Sequence, residues 1–188
     1  MFDHFDFIAP LYDRIVRLPV SSRLCELLKL PTDGILLDAG GGTGRVSSRL
    51  RSVVGKLIIC DFSLPMLKQA QAKHGLYSVQ TRAEQLPFAD GTFDRVMVVD
   101  ALHHFFDQQA AIRDLIRVLK PEGRLVIEEP DRNRWIVKIL VVAEKMAFMR
   151  SRIHAMTEIL DMVTAEGMTA CIERGNGFAS WVVADKKK

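Results

Sequence analysis

The sequence predicts an α/β fold: a doubly wound, mostly parallel seven-stranded sheet with helices on both faces and an antiparallel hairpin at its C-terminal end. Three features of the chain support this. Short apolar, β-rich runs alternate five times with segments of helical periodicity. The first run, Ile35-Leu36-Leu37-Asp38, passes directly into the glycine cluster Gly40-Gly41-Gly42-Thr43-Gly44 and then into Arg45 to Arg51 at helical spacing. Acidic residues recur where strands are predicted to end, at Asp38, Asp61, Asp100 and Glu128/Glu129. In sheets of this kind ligands bind at the carboxyl ends of the strands, near the point where strand order reverses.

In chain order, Phe2 to Tyr12 is aromatic and interleaved with Asp3, Asp6 and Asp13. Apolar spacing from Leu11 to Leu30 predicts helix on either side of Pro19, with Ser21 or Ser22 capping the second piece and Pro31 following it. Residues 1–30 are therefore expected to form a helical cover. Leu57 to Cys60 is a strand ending at Asp61, after which Ser63, Pro65 and Met66 read as the cap and first turn of a helix to about Lys73. Leu76 to Thr81 and Phe93 to Val99 are further strands, the second entered from the turn Ala89-Asp90-Gly91. Gln109 to Leu119 is an amphipathic helix stopped by Lys120-Pro121-Glu122-Gly123, and Arg124 to Glu128 is the next strand. Beyond Pro130 the periodicity predicts helices over Trp135–Met149 and Ile153–Ala165, so that 131–167 forms a helical insertion over the acceptor side of the sheet. Met168–Glu173 and Phe178–Ala184 flank Gly175-Asn176-Gly177 as a hairpin.

Composition narrows the function classes. A chain of 188 residues suits a single domain, taken here as 1–188. The formal charge of +3 equals the three lysines Lys186 to Lys188, so the rest is neutral and gives no argument for nucleic acid as a partner. Cys25, Cys60 and Cys171 are isolated, without the paired spacing of a zinc site or a disulfide framework, which fits a reducing cytoplasm and no metal. Asp3 and Asp6 stand where a signal peptide would be positive. The apolar run Trp135–Ala143 contains Lys138 and is far shorter than the roughly 20 residues of a membrane span. Basic residues from Arg132 to Arg152 among apolar ones leave room for peripheral membrane contact and, more simply, for a solvated face.

Three nucleotide-type readings compete for the glycine loop. A phosphate loop needs GxxxxGK with Ser or Thr, which is absent. A dinucleotide fingerprint starting at Gly40 requires Gly or Ala at 45, where Arg45 stands. What remains is DxGxGxG, carried by Asp38, Gly40, Gly42 and Gly44. With it go Phe2-Asp3, Ile8-Ala9-Pro10, Tyr12-Asp13, Asp61-Phe62-Ser63 with Met66, Ala83-Glu84-Gln85-Leu86-Pro87-Phe88, Phe93-Asp94, Leu102-His103-His104 and Arg117-Val118-Leu119-Lys120-Pro121. In these blocks and their order the chain resembles the class I S-adenosylmethionine-dependent methyltransferases, in particular those similar to quinone-biosynthesis methyltransferases.

The resemblance implies a Rossmann-like methyltransferase fold, S-adenosylmethionine as cofactor and a small, apolar or aromatic methyl acceptor, in a cytoplasmic monomer or homodimer. It implies that Asp38 supports the methionyl ammonium and Asp61 the ribose hydroxyls, with Ala39, Gly40 and Gly42 as bare backbone against the cofactor. Phe62 and Met66 flank the adenosine, Ala83 and Glu84 meet the adenine edge, and Tyr12, Asp100 and His103 complete the set. His104 and His103 are the candidate bases, needed only when the acceptor carries a proton. One departure stands out. The family commonly has an acidic residue before the Ala-Glu pair, and this chain has Arg82, a donor that cannot accept from an adenine amino group; either Glu84 or a backbone carbonyl is expected to take over. The rival reading is a catalytically silent domain that keeps the fold as a binding or regulatory partner.

Overall fold

The computed structural model describes residues 22–130, 153–175 and 179–188. The predicted N-terminal cover before residue 22, Tyr12 within it, the helix predicted over Trp135–Met149 and the tip Asn176-Gly177 of the hairpin lie outside the described residues.

Seven strands form one sheet: β1 Thr32–Ala39, β2 Val54–Asp61, β3 Tyr77–Gln80, β4 Phe93–Val99, β5 Leu119–Pro130, β6 Thr169–Arg174 and β7 Ala179–Asp185. Their spatial order is β3-β2-β1-β4-β5-β7-β6. The first five run parallel, and β7 is antiparallel to both β5 and β6, which is the predicted terminal hairpin. The order reverses between β1 and β4, so the loops after these two strands flank the crevice in which doubly wound sheets hold ligands.

Alternation along the strands sorts side chains onto two faces. On one face Leu37, Val96, Val98, Leu125, Ile127 and Val182 pack against helices α4 (Gln108–Val118) and α5 (Met156–Ala165). On the other, Leu36, Leu57, Ile59, Met97, Val126 and Val183 pack against α1 (Ser22–Leu27), α2 (Ser47–Leu50) and α3 (Leu64–Gln71). Strands covered on both faces read as near-continuous apolar runs, as Val96–Val99 of β4 does.

Several boundaries differ from the sequence expectation for local reasons. Helix α1 stops at Leu27, and Lys29 adopts φ 54° before Pro31. After the glycine loop helix is limited to Ser47–Leu50 and a 3₁₀ turn Arg51–Val53, because β2 already begins at Val54. Helix α4 starts earlier than expected because Asp107 Oδ1 accepts the Ala110 N–H at 3.0 Å as its cap. The stop Lys120-Pro121-Glu122-Gly123 is an outward bulge within β5: Leu119 pairs with Phe93 and Arg124 with Arg95, and Glu122 takes φ 63°. Helix α5 begins at Met156 rather than Ile153, since the Glu158 carboxylate accepts the Ala155 N–H at 3.0 Å while Ala155 is extended. Lys186, counted in the sequence only as part of the terminal lysine run, donates its ammonium to the carbonyls of Ile116 and Leu119, both at 2.7 Å, and closes the end of α4.

Candidate functional site

The site is assembled at the carboxyl edge from the turns after β1, β2, β3 and β4. The first turn is held from below: Gly40 and Gly41 donate to the Cys60 carbonyl at 2.8 and 3.2 Å, and the Gly44 N–H closes on the Gly41 carbonyl at 2.8 Å. Gly40 has φ 74°, and a Cβ there would stand 2.6 Å from that of Ala101, so the turn after β1 lies directly on the segment after β4. Gly42, φ 53°, is different in kind. Among the described residues a Cβ built on it meets only Asp61 Oδ2, at 3.9 Å, so none of them crowds this backbone. Lys73 steadies the turn by donating to the Thr43 carbonyl at 2.6 Å.

Asp61, at the end of β2, ties two turns together. Its Oδ2 accepts the Gly42 N–H at 2.9 Å and its Oδ1 accepts the Ser63 N–H at 2.8 Å. An ionised carboxylate is an acceptor on both oxygens, so it can serve two turns at once. Ser63 caps α3 as expected, its hydroxyl accepting the Met66 N–H at 3.4 Å. Met66 is buried, whereas Phe62 is 39% exposed at the rim.

Asp38 is buried to 2% exposure, and its Oδ2 accepts the Ser47 hydroxyl at 2.6 Å. Burial pushes its carboxyl up to about 7, opposed by the Ser47 bond and the nearby Arg45 charge, with the Asp61 charge adding to the rise. A carboxylate so placed gains from a cation brought beside it.

The turn after β3 carries Ala83 and Glu84. Ala83 is buried, and Glu84 Oε1 accepts the Asp107 N–H at 3.0 Å. Arg82 is exposed and places its guanidinium 4.5 Å from the Phe106 ring centroid and 5.3 Å from that of Phe62, spanning two rims of the site. Sequence reasoning missed what holds this turn. Arg117 donates to the Leu86 and Phe88 carbonyls at 3.0 and 2.8 Å, and its partner Asp114 accepts the Leu86 N–H at 2.6 Å. The block Arg117 to Pro121 was visible as a motif, but nothing local to it points to Leu86.

After β4, Asp100 is in the left-handed region at φ 53°, and its N–H is held by the Glu128 carbonyl at 2.9 Å. The 3₁₀ turn Leu102–His104 follows. His103 and His104 stack with ring centroids 3.9 Å apart. Burial, reinforced by the charge of His103, pushes His104 down to about 3, so it stays a neutral, weakly basic ring at physiological pH. His103 is buried with Nδ1 2.6 Å from Glu129 Oε2. Glu128 and Glu129 diverge to opposite faces of the sheet: Glu128 accepts the Trp181 indole N–H at 2.7 Å, and burial raises its carboxyl.

Asp100, His103 and Glu129 bring ligand atoms within 4.8 Å of one another. Both Glu129 oxygens are already committed to donors, Oε1 to the N–H groups of Ala101 and Leu102 and Oε2 to His103. The Glu129 carboxylate is thus the hub of a hydrogen-bond network. The residues of the first two turns fit S-adenosylmethionine: a backbone cradle at Gly42, a ribose-type acceptor at Asp61 and a buried carboxylate at Asp38 suited to an ammonium.

A family model described as a methyltransferase domain matches residues 37–127, which is the stretch from β1 to β5 that builds this edge. The ubiquinone/menaquinone biosynthesis C-methyltransferase of Klebsiella pneumoniae is 32% identical over 142 residues, covering 70% of this chain and 54% of that protein. The chain spans about half the length of the curated relatives it matches. Among solved structures, a SAM-dependent methyltransferase of Thermotoga maritima, described as a possible histamine N-methyltransferase, superposes with TM-score 0.83 at 22% identity, covering 97% of this chain and 98% of that one. A SAM-dependent methyltransferase of Aquifex aeolicus gives TM-score 0.78 at 18% identity, with 98% and 99% covered. With its seven-stranded order, its DxGxGxG turn and the blocks that follow it, the chain belongs to the class I S-adenosylmethionine-dependent methyltransferase family.

Proposed function

We propose that the chain transfers a methyl group from S-adenosylmethionine to a small, apolar or aromatic acceptor, a quinol ring being the first to try. The observation that carries this reading is the pairing of the Gly42 backbone with the Asp61 carboxylate at 2.9 Å, a cradle and a diol acceptor joined in one hydrogen bond. The quinol suggestion is supported by the curated relative, which is named a ubiquinone/menaquinone biosynthesis C-methyltransferase.

The cofactor supplies an activated sulfonium methyl, so the protein's task is chiefly orientation. In this reading Asp61 holds the ribose hydroxyls, Asp38 pairs with the ammonium, and Gly40, Ala39 and Gly42 admit the cofactor against backbone. Phe62 and Met66 border the adenosine, and Ala83 with Glu84 face the adenine edge. Asp100 and His103 complete the cofactor set, to which the family resemblance adds Tyr12.

Titration calorimetry with S-adenosylmethionine and S-adenosylhomocysteine tests the cofactor half; absence of heat from both at millimolar concentration overturns it. The acceptor half is tested by transfer of radiolabelled methyl from S-adenosylmethionine to dithionite-reduced 2-demethylmenaquinone and to a panel of phenols and small amines. Label in the quinol ring supports the substrate proposed, and label only in an amine replaces it.

A further inference from the structure

Three side chains from three different turns meet at the rim of the crevice. Phe62 follows Asp61 at the end of β2, Arg82 follows β3, and Phe106 follows the 3₁₀ turn after β4. The Phe62 and Phe106 rings meet edge to face with centroids 5.8 Å apart, and the Arg82 guanidinium lies 4.5 Å from the Phe106 centroid and 5.3 Å from that of Phe62. In the sheet β1 lies between β2 and β4, so the strand ends from which the two rings start are about 10 Å apart, two strand spacings, and the rings bridge that gap. The backbone beneath them is tied down. Gln80 Nε2 donates to the Phe62 carbonyl at 3.1 Å, the Thr81 N–H to the Asp61 carbonyl at 3.0 Å, and the Asp107 N–H to Glu84 Oε1 at 3.0 Å. The side chains above are exposed, Phe62 by 39% and Phe106 by 52%. Rotation of the side chains is therefore the easy motion here, and it is fast in exposed residues. A flat base held between two aromatic faces needs them about 7 Å apart, two contacts of about 3.5 Å. At 5.8 Å the rings touch each other instead.

We propose that Phe62, Arg82 and Phe106 form a latch across the nucleoside end of the cradle, which parts by side-chain rotation to admit or release the cofactor and closes over it with the same contacts. This rests on the methyltransferase reading. Asp61, as the ribose acceptor, keeps the base within one sugar's length of Phe62, the next residue in the chain, so a nucleoside entering this end of the crevice passes the three side chains. The latch has to part in both directions, so it sets rates rather than affinity. Arg82 is the part that holds it shut, because its guanidinium attracts the faces of both rings and its loss leaves only the ring-to-ring contact. Its charge also steers a charged ligand. S-adenosylhomocysteine, a zwitterion of net charge zero, separates latch from steering.

The test uses the ¹³C,¹⁵N-labelled full chain at pH 7.5. Line-shape titration with S-adenosylhomocysteine gives the association and dissociation rates of the wild type, Arg82→Ala and Phe106→Leu, and the Arg82 Hδ and Hε shifts read the ring contacts before any cofactor is added. Arg82→Ala is expected to raise both rates together by about two- to fivefold, the worth of one exposed cation–π contact, with Kd within threefold of wild type. Phe106→Leu should do the same and move the Arg82 protons downfield, out of the ring current. A rise in dissociation alone makes these side chains ordinary contacts of a bound base and overturns the latch. Unchanged rates in both variants overturn it too, as does a wild-type Arg82 without upfield-shifted protons. Either variant decides the question if the other fails to fold. No calorimetric heat from S-adenosylhomocysteine on the wild type overturns the methyltransferase reading and the latch together, whereas heat with unaltered rates in the variants overturns the latch alone.

Discussion

Replacing Asp61 with asparagine removes one oxygen from a carboxylate that uses both. In the native chain Oδ2 receives Gly42 N–H at 2.9 Å and Oδ1 receives Ser63 N–H at 2.8 Å. Asparagine keeps one acceptor and turns an NH₂ toward the other N–H, setting donor against donor. A hydrogen bond to a charged group contributes about 1.5–3 kcal/mol, and a ribose hydroxyl that loses its ionised acceptor adds to this, so cofactor binding should weaken by about 2–4 kcal/mol. At 1.4 kcal/mol per tenfold this is roughly a 30- to 700-fold rise in Kd. Calorimetry with S-adenosylhomocysteine at pH 7.5 reads it directly, with urea denaturation as the control that the variant is folded at the assay temperature. A folded Asp61→Asn whose Kd lies within threefold of wild type would refute the assignment of Asp61 to the ribose and with it the cradle reading.

Other expectations follow from single groups. Asp38 has its folded pKa raised to about 7, above its unfolded value, so the native state binds the proton more tightly; stability is highest below the unfolded carboxylate pKa and falls as pH rises toward 7, then levels. Asp38→Asn should therefore raise the thermal midpoint of the cofactor-free chain more at pH 8 than at pH 4, while weakening cofactor binding; an equal shift at both pH values would contradict the burial argument. Because a bound ammonium favours the ionised form, wild-type binding at pH 6 should release a proton, seen as a dependence of the calorimetric enthalpy on buffer ionisation heat. Arg82→Ala removes exposed cation–π contacts of about 0.5–1 kcal/mol and should alter cofactor affinity less than tenfold. Arg82→Asp tightening it more than tenfold would mean that neither Glu84 nor a backbone carbonyl replaces the missing acceptor. Lys186→Ala leaves the Ile116 and Leu119 carbonyls without their ammonium and should cost about 1–2 kcal/mol in urea titrations with cofactor affinity unchanged.

The sequence by itself determined the alternation of strands and helices, the glycine turn after β1, the Ser63 cap and the terminal hairpin, because each depends on neighbours within a few residues or on a period of two or 3.6. It also placed Asp61 and Asp38 at strand ends, where the structure puts them beside Gly42 and Ser47. Tertiary structure alone decided the supports. Glu129 meets Ala101 to His103, Arg117 meets Leu86 and Phe88, and Lys186 meets Ile116, all because strands 26 to 70 residues apart in sequence, or their flanking turns, come to lie side by side. The two histidines show the same division. Adjacent in sequence and alike in chemistry, they are separated by burial and by one carboxylate arriving from β5, which gives His103 a charged partner and leaves His104 neutral. Hydrogen-bond partners of this kind follow from which strands are neighbours and which face a side chain takes, and no local pattern encodes either.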